Sequence, residues 1–369
     1  MMENFVVIGA NSFQYRLIVK ARQMGYCVHA FAWECGDVGE KAADVFHPVS
    51  IVEKEKILEI CRGLHPVGVA SIASDLAVTT VNYVAENLGL CCNSYADSEL
   101  CTNKFAMRSA FRKNGIPVPR FISVSEPPEA GALEGFCYPL IVKPTDRSGS
   151  RGITKITEFG QIASAVKSAV SQSFEKRAVI EEFIEGDEYS CECVSYEGRH
   201  SFLAFTKKYT TGAPHFIETG HVQPAGIPEC LQDKIKDTVF KALSALNIKN
   251  GASHTEFKLT ESGEVRIIEI GARMGGDCIG SDLVYLSTGV DFVRAVVDIA
   301  CGRRPDLTRE HLPQKATVRF IFDDAGLCEL ERVKQDTGKH IQYISDMNRG
   351  NIGAVTDSSN RVGYYIYTE

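Results

Sequence analysis

His254-Thr255-Glu256-Phe257-Lys258-Leu259-Thr260, then Glu261-Ser262-Gly263-Glu264, then Val265-Arg266-Ile267-Ile268-Glu269-Ile270, is the stretch on which the reading of the chain turns. Apolar and polar residues alternate on both sides of a Ser-Gly pair, the pattern of two strands joined by a tight hairpin. A two-residue turn centred on Ser262-Gly263 sets Glu256 opposite Glu269 on one face. Phe257, Leu259, Ile268 and Ile270 then fall on the other, apolar face. Like charges directly opposite one another destabilise a sheet. Two arrangements relieve this: solvent around both carboxylates, helped by Lys258 on the same face, or a divalent cation that takes oxygens from both.

The residues that follow, Gly271-Ala272-Arg273-Met274-Gly275-Gly276-Asp277, put a fixed cation shortly after the second glutamate. An arginine makes planar two-pronged contacts with carboxylate or phosphate, and the glycines allow the backbone a close approach. Upstream, Pro139–Pro144 reads as a strand carrying Lys143 near its end, followed by the loop Asp146-Arg147-Ser148-Gly149-Ser150-Arg151-Gly152. Small residues, backbone N–H groups and two arginines suit such a loop to closing over a polyphosphate, although it is not a Walker-type loop. Glu181-Glu182-Phe183-Ile184-Glu185-Gly186-Asp187-Glu188 ends a further strand as an acidic cluster, either a solvated turn or a purine-binding hinge. Lys104 lies in the middle of a helix expected from Asp97 to Asn114.

Around these motifs, the first hundred residues alternate strand and helix: strand Phe5–Ile8, helix to Met24, strands Val28–Phe31 and Val67–Ile72, helix Ala77–Asn87. That is a βαβ pattern with a parallel sheet. Gly9-Ala10-Asn11-Ser12 sits at the first strand-to-helix turn, but the glycine fingerprint of dinucleotide binding is missing, which argues against an NAD-dependent oxidoreductase. The start of the chain reads as a first strand rather than a signal peptide, and no apolar run reaches the roughly 20 residues that span a bilayer. With 369 residues the chain fits two or three domains. A formal net charge of −7 argues against non-specific nucleic-acid binding. Thirteen cysteines without a Cys-x-x-Cys pair read as the reduced thiols of a cytoplasmic protein.

Together and in this order, these residues resemble the ATP-grasp superfamily, in its amino-acid ligase and carbamoyl-phosphate-synthetase-like branch, over residues 1 to about 300. The resemblance implies an α/β and α+β fold. It would comprise an N-terminal Rossmann-like parallel α/β domain (1–96), a linking helix (97–120), a small lid subdomain (121–184) and a large C-terminal subdomain with a mixed β-sheet (185–369). It implies that Lys104 and Lys143 meet the phosphates of ATP, that Ser148, Gly149, Ser150 and Gly152 form the loop over them, and that Glu181, Glu182, Phe183 and Ile184 form the adenine hinge. Glu188 would hold the ribose, and Leu259 and Ile268 also count among the nucleotide-binding residues. Glu256 and Glu269 would ligate magnesium, with manganese able to substitute. Arg273 would stabilise the acyl phosphate. In Glu218-Thr219-Gly220-His221, Glu218 would meet a substrate amine and His221 the substrate or the transferring phosphate. One departure stands out: Gly271 takes the place of an asparagine that ligates metal in many members. The implied activity is ATP-dependent joining of a carboxylate to an amine through an acyl phosphate. The alternatives are bicarbonate activation followed by carboxylation of an amine, and a non-catalytic ATP-binding protein. The implied partners are small molecules, not nucleic acid or membrane; a homodimer is common among such proteins.

Overall fold

The structure, a computed structural model, describes residues 2–149, 151–212, 217–355 and 358–369. Strands β1 (Asn4–Ile8), β2 (Cys27–Phe31), β3 (Val45–His47) and β4 (Gly68–Ala70) form a parallel sheet in the order β3-β2-β1-β4. Phe5, Val6, Val7 and Ile8 of the central β1 are all buried, the continuous apolar run of a parallel strand covered on both faces. Val6 and Ile8 pack with helices Lys54–Leu64 and Asp75–Asn87. Phe5 and Val7 pack with helix Ser12–Gln23 and with Val293 and Val297 of the distant helix Phe292–Ala300. A helix from late in the chain thus closes one face of the first sheet, in the same cluster as Ile72, which lies three residues before Asp75. Gly9-Ala10-Asn11-Ser12 is a strand-to-helix turn in which the Asn11 side chain caps the helix by accepting from the Phe13 N–H.

The helix expected from Asp97 to Asn114 is two helices, Ser98–Thr102 and Lys104–Lys113. Asn103 between them is extended, and its Oδ1 accepts from the N–H groups of Phe105 and Ala106. Asparagine is among the strongest N-caps, so it starts a new helix here. Lys104 is the first residue of that helix, not a mid-helix residue.

β5 (Phe121–Val124), β6 (Leu140–Pro144), β7 (Thr154–Ile156) and β8 (Ala178–Glu182) form an antiparallel sheet in the order β5-β8-β6-β7, covered by helix Ile162–Gln172. The third sheet holds β9 (Asp187–Tyr196), β10 (Arg199–Thr210), β11 (Glu218–Gln223), β12 (Gly251–Leu259), β13 (Val265–Gly271), β14 (Ala316–Ile321), β15 (His340–Ile344) and β16 (Gly363–Thr368). Their order is β13-β12-β9-β10-β11-β14-β16-β15. Among the described residues every pairing within this third sheet is antiparallel, which corrects the expected mixed sheet. The tight hairpins β9–β10 and β12–β13 permit no other sense. No helix among the described residues is long and apolar enough to cross a membrane.

The decisive hairpin also differs from its expected geometry. The Thr260 N–H bonds the Glu264 carbonyl at 3.1 Å and the Gly263 N–H bonds the Thr260 carbonyl at 2.9 Å. This closes a three-residue loop with Gly263 at φ 73°. Phe257 therefore pairs with Ile267. A bulge between Glu256 and Phe257 shifts the register back by one, so that Glu256 still faces Glu269. The bulge frees Ile268 from the apolar face: Phe257, Ile267 and Ile270 enter the core, while half-buried Ile268 lines a cavity beside Glu269.

Candidate active site

That cavity lies between the two antiparallel sheets and the start of helix Asp75–Asn87. Its walls carry Lys104, Lys143, Ser148, Gly149, Glu181, Phe183, Ile184, Glu188, Glu218, Glu256, Ile268, Glu269 and Arg273. Residues scattered over the sequence are therefore brought to one place. Neither open solvent nor Lys258 relieves the opposed carboxylates. Their side chains are only about a quarter exposed, and Lys258 instead sits over the Phe183 ring at 4.4 Å. Cations from other elements do the work. Lys208 on β10 reaches Glu256 at 2.5 Å and Glu188 at 3.2 Å, and Lys104 reaches Glu269 at 2.8 Å. His254 bridges Glu192 at 2.6 Å and Glu256 at 3.3 Å. Burial opposes a charge on that ring, but the two carboxylates outweigh it and raise its pKa to about 9.

At the phosphate-loop end, Lys104 Nζ also donates to the Arg147 carbonyl at 2.6 Å, which ties the loop to the helix start. Glu181 is buried between Arg108 at 2.9 Å and Lys143 at 2.5 Å. Burial pushes its pKa up, yet the two cations hold it down at about 2. Arg108 donates onward to the carbonyl of the bulged Ile268 at 2.8 Å. A buried ionic network thus braces the kink that turns Glu269 into the cavity.

Other expected residues lie off the cavity wall. Strand alternation turns Glu182 away from it: its carboxylate accepts from the N–H groups of Arg120 and Cys137. Glu182→Ala should therefore shift MgADP affinity by less than about threefold, since nothing in the cavity loses a partner, as calorimetric titration will check. Leu259 packs against the apolar cluster under the hairpin. Gly152, at φ +69°, is packed against Pro144 and Gln172. Ser150 lies outside the described residues. His221 is 1% exposed on β11, its ring edge-on to Phe320. Neither ring nitrogen has a hydrogen-bond partner among the described residues. Burial, then Lys208 and Arg361, hold it neutral, far below the usual imidazole range.

Several residues at or behind the wall gave no local signal. Asp75, the first residue of helix Asp75–Asn87, bonds Arg273 through both carboxylate oxygens, at 2.8 and 3.0 Å. Arg361, just before β16, bonds Asp277 at 2.9 Å, the Glu218 carbonyl at 3.0 Å and its carboxylate at 3.3 Å, and lies 3.7 Å over Phe320. The C-terminal stretch thus supports a cavity acid. Glu218 is raised by burial, against the pull of Lys208.

Magnesium can be tested against these side chains. Glu256 and Glu269 offer hard oxygens from opposed positions on the cavity wall, and the contacts to Lys208 and Lys104 use Oε1 of each. Among the described residues no group of three or more acids, histidines or cysteines forms a ready metal cage. The pair fits an ion that is held by one or two carboxylates and completed by nucleotide phosphates and water, the habit of Mg²⁺.

Comparison with known proteins adds to this geometry. Residues 136–282 match the model of the ATP-grasp domain. The alanine–anticapsin ligase of Bacillus subtilis is 28% identical over 314 residues, which are 76% of this chain and 66% of that one, just under two thirds of its length. Human carnosine synthase 1 is 27% identical over 67% of this chain and 32% of its own. The crystal structure of an L-amino acid ligase from Bacillus licheniformis superposes with a TM-score of 0.82 at 26% identity, covering 100% of this chain and 93% of that one.

Proposed function

The chain belongs to the ATP-grasp superfamily, and we propose that it is an ATP-dependent carboxylate–amine ligase acting on amino acids. The carrying observation is the cavity itself: two opposed carboxylates, two buried lysines and a held arginine meet under a glycine-containing loop. Adenine binding alone needs none of the first or last of these. The names of the relatives, alanine–anticapsin ligase and L-amino acid ligase, support amino acids as substrates.

In this reading Phe183 and Ile184 flank the base, Glu188 holds the ribose, and Lys104, Lys143 and the loop hold the phosphates. Glu256 and Glu269 would hold magnesium or manganese, which supplies neutralising charge to the phosphate oxygens. Glu218, stationed by Arg361, receives the ammonium of the acid substrate. Arg273 has five N–H groups. Two go to Asp75 and one to the Met274 carbonyl at 3.0 Å, which leaves one on each Nη for the transferring group. The substrate carboxylate attacks the γ-phosphorus, its C–O–P bond forms as ADP leaves, and the amine nitrogen then displaces phosphate from the acyl carbon. Water must be kept from the activated acid, which gives the loop a reason to close. All thirteen cysteines are free, which supports a reducing, cytoplasmic setting.

The test is ADP release against panels of carboxylic acids and amines, with hydroxylamine as trap. Release should require an acid, give a hydroxamate with hydroxylamine, and continue without bicarbonate. Turnover that stops when bicarbonate is omitted would make the protein a carboxylase instead. Nucleotide binding without ADP release under any pairing would remove the enzymatic reading.

A further inference from the structure

Gly271 pairs with His254 in the β12–β13 ladder, and its backbone is not in the left-handed region. Conformation therefore does not demand glycine there; space does. A Cβ built on it would lie 2.8 Å from Asp75 Oδ1 and 3.0 and 3.1 Å from Arg273 Cζ and Nε. The first distance is closer than real Cβ atoms come, so any side chain would push into the Asp75–Arg273 pair. Asp75 comes from the first domain, where Ser74 caps the helix through the Ala77 N–H, so the Asp75 carboxylate is free for Arg273. Both side chains are more than four-fifths buried. Arg273 also lies in the field of Glu256 and Glu269, and without a partner of its own it would turn to them.

We infer that Asp75 and Gly271 form a matched pair that positions Arg273: glycine leaves the room, and the first domain fills it with the carboxylate that aims the guanidinium. Asp75 is a positioning residue. It grips one edge of Arg273, keeps it off the two carboxylates opposite each other on the hairpin, and leaves the free Nη N–H groups for the cavity. The first domain then supplies part of the machinery for activating the acid. The inference rests on the role proposed above for Arg273, but the pairing itself has a readout that does not.

Three variants of the full chain test it: Asp75→Asn, which turns N–H groups toward one half of the fork; Gly271→Ala, which inserts only the Cβ; and the double variant. Hydroxamate formation should fall by about 100-fold in each single variant, the cost of a misplaced group, while MgADP affinity stays within about threefold. The double variant should be no worse than either, because both remove one interaction. Independently of activity, the Arg273 Nε–H resonance, identified by its loss in Arg273→Lys, should exchange slowly in the wild type and be broadened or lost in Asp75→Asn and Gly271→Ala. Multiplying losses in the double variant, wild-type turnover in Asp75→Asn, or a resonance that survives both substitutions would each overturn the inference. A wild type that forms no hydroxamate with any acid would sink the ligase reading, and the resonance would still decide the pairing.

Discussion

Glu269→Gln is expected to lower acid-dependent ADP formation by about 1,000-fold, the scale of losing a preorganised charge at the reacting phosphate. The substitution keeps the shape and removes the charge. Glu269 faces Glu256 across the hairpin and holds Lys104 at 2.8 Å. A neutral amide oxygen is a poorer ligand for a hard divalent ion and a poorer partner for the ammonium. Both losses fall on the phosphate end of the cavity. The fold should tolerate the change, because the side chain stands on the cavity wall at 27% exposure and its contacts are to one lysine. Lys104, 5% exposed, loses its carboxylate partner but keeps the Arg147 carbonyl and meets an amide oxygen, so unfolding followed by circular dichroism should show a loss of about 1–3 kcal/mol, while a coupled ADP assay at saturating MgATP registers the far larger loss of turnover. Wild-type turnover in this variant would take Glu269 out of the chemistry.

The sequence made that pair of glutamates legible, but by a route with two offsetting errors. Alternation and the Ser-Gly signal located the hairpin. The loop holds three residues rather than two, and the bulge at Glu256 restores the pairing that the longer loop would have broken. Alternation alone cannot show a bulge, so it puts Ile268 on the apolar face, whereas the structure sets it on the cavity wall beside Glu269, where the family resemblance had it. Lys143, Glu181, Phe183 and Glu188 were readable because they sit at strand ends beside loops. Lys208 was not: Lys207 and Lys208 are adjacent and point to opposite faces. Which one meets the cavity depends on pairing with β9, including a register shift between Phe202 and Ala204. Asp75 and Arg361 were hidden for a different reason. Each is a single charged residue in an otherwise ordinary segment, and only long-range packing carries it to the site. Helix Phe292–Ala300 packs on the first sheet together with Ile72, three residues before Asp75. Arg361 is placed by β16 pairing with β14 near the edge of the largest sheet.

The second large effect should come from a residue that braces the site. Glu181 is 2% exposed and holds two buried cations, Arg108 and Lys143. Replacing one member of such a network leaves the others buried without compensation, which costs about 3–5 kcal/mol. Glu181→Gln preserves shape and hydrogen-bonding capacity, so its cost isolates the charge. Lys143 is already pulled below its usual range by burial, with Glu181 opposing that pull. Without the carboxylate it should lose its proton more readily and with it its hold on phosphate. Arg108 would also slacken its grip on the Ile268 carbonyl, and the bulge that aims Glu269 would loosen. The expected result is a lower urea midpoint together with MgADP affinity reduced by at least about tenfold. The pH dependence gives a second, sharper check. Glu181 has its pKa lowered from 4.5 to about 2 in the fold, so its contribution to stability is fully present above the unfolded value and is lost as pH falls from about 4.5 toward 2. Glu181→Gln carries no such group, so its stability should fall less steeply than the wild type's through that window. Equal slopes for the two proteins, measured by urea titration at stepped pH, would mean that the carboxylate is not held by Arg108 and Lys143 in the way the geometry requires.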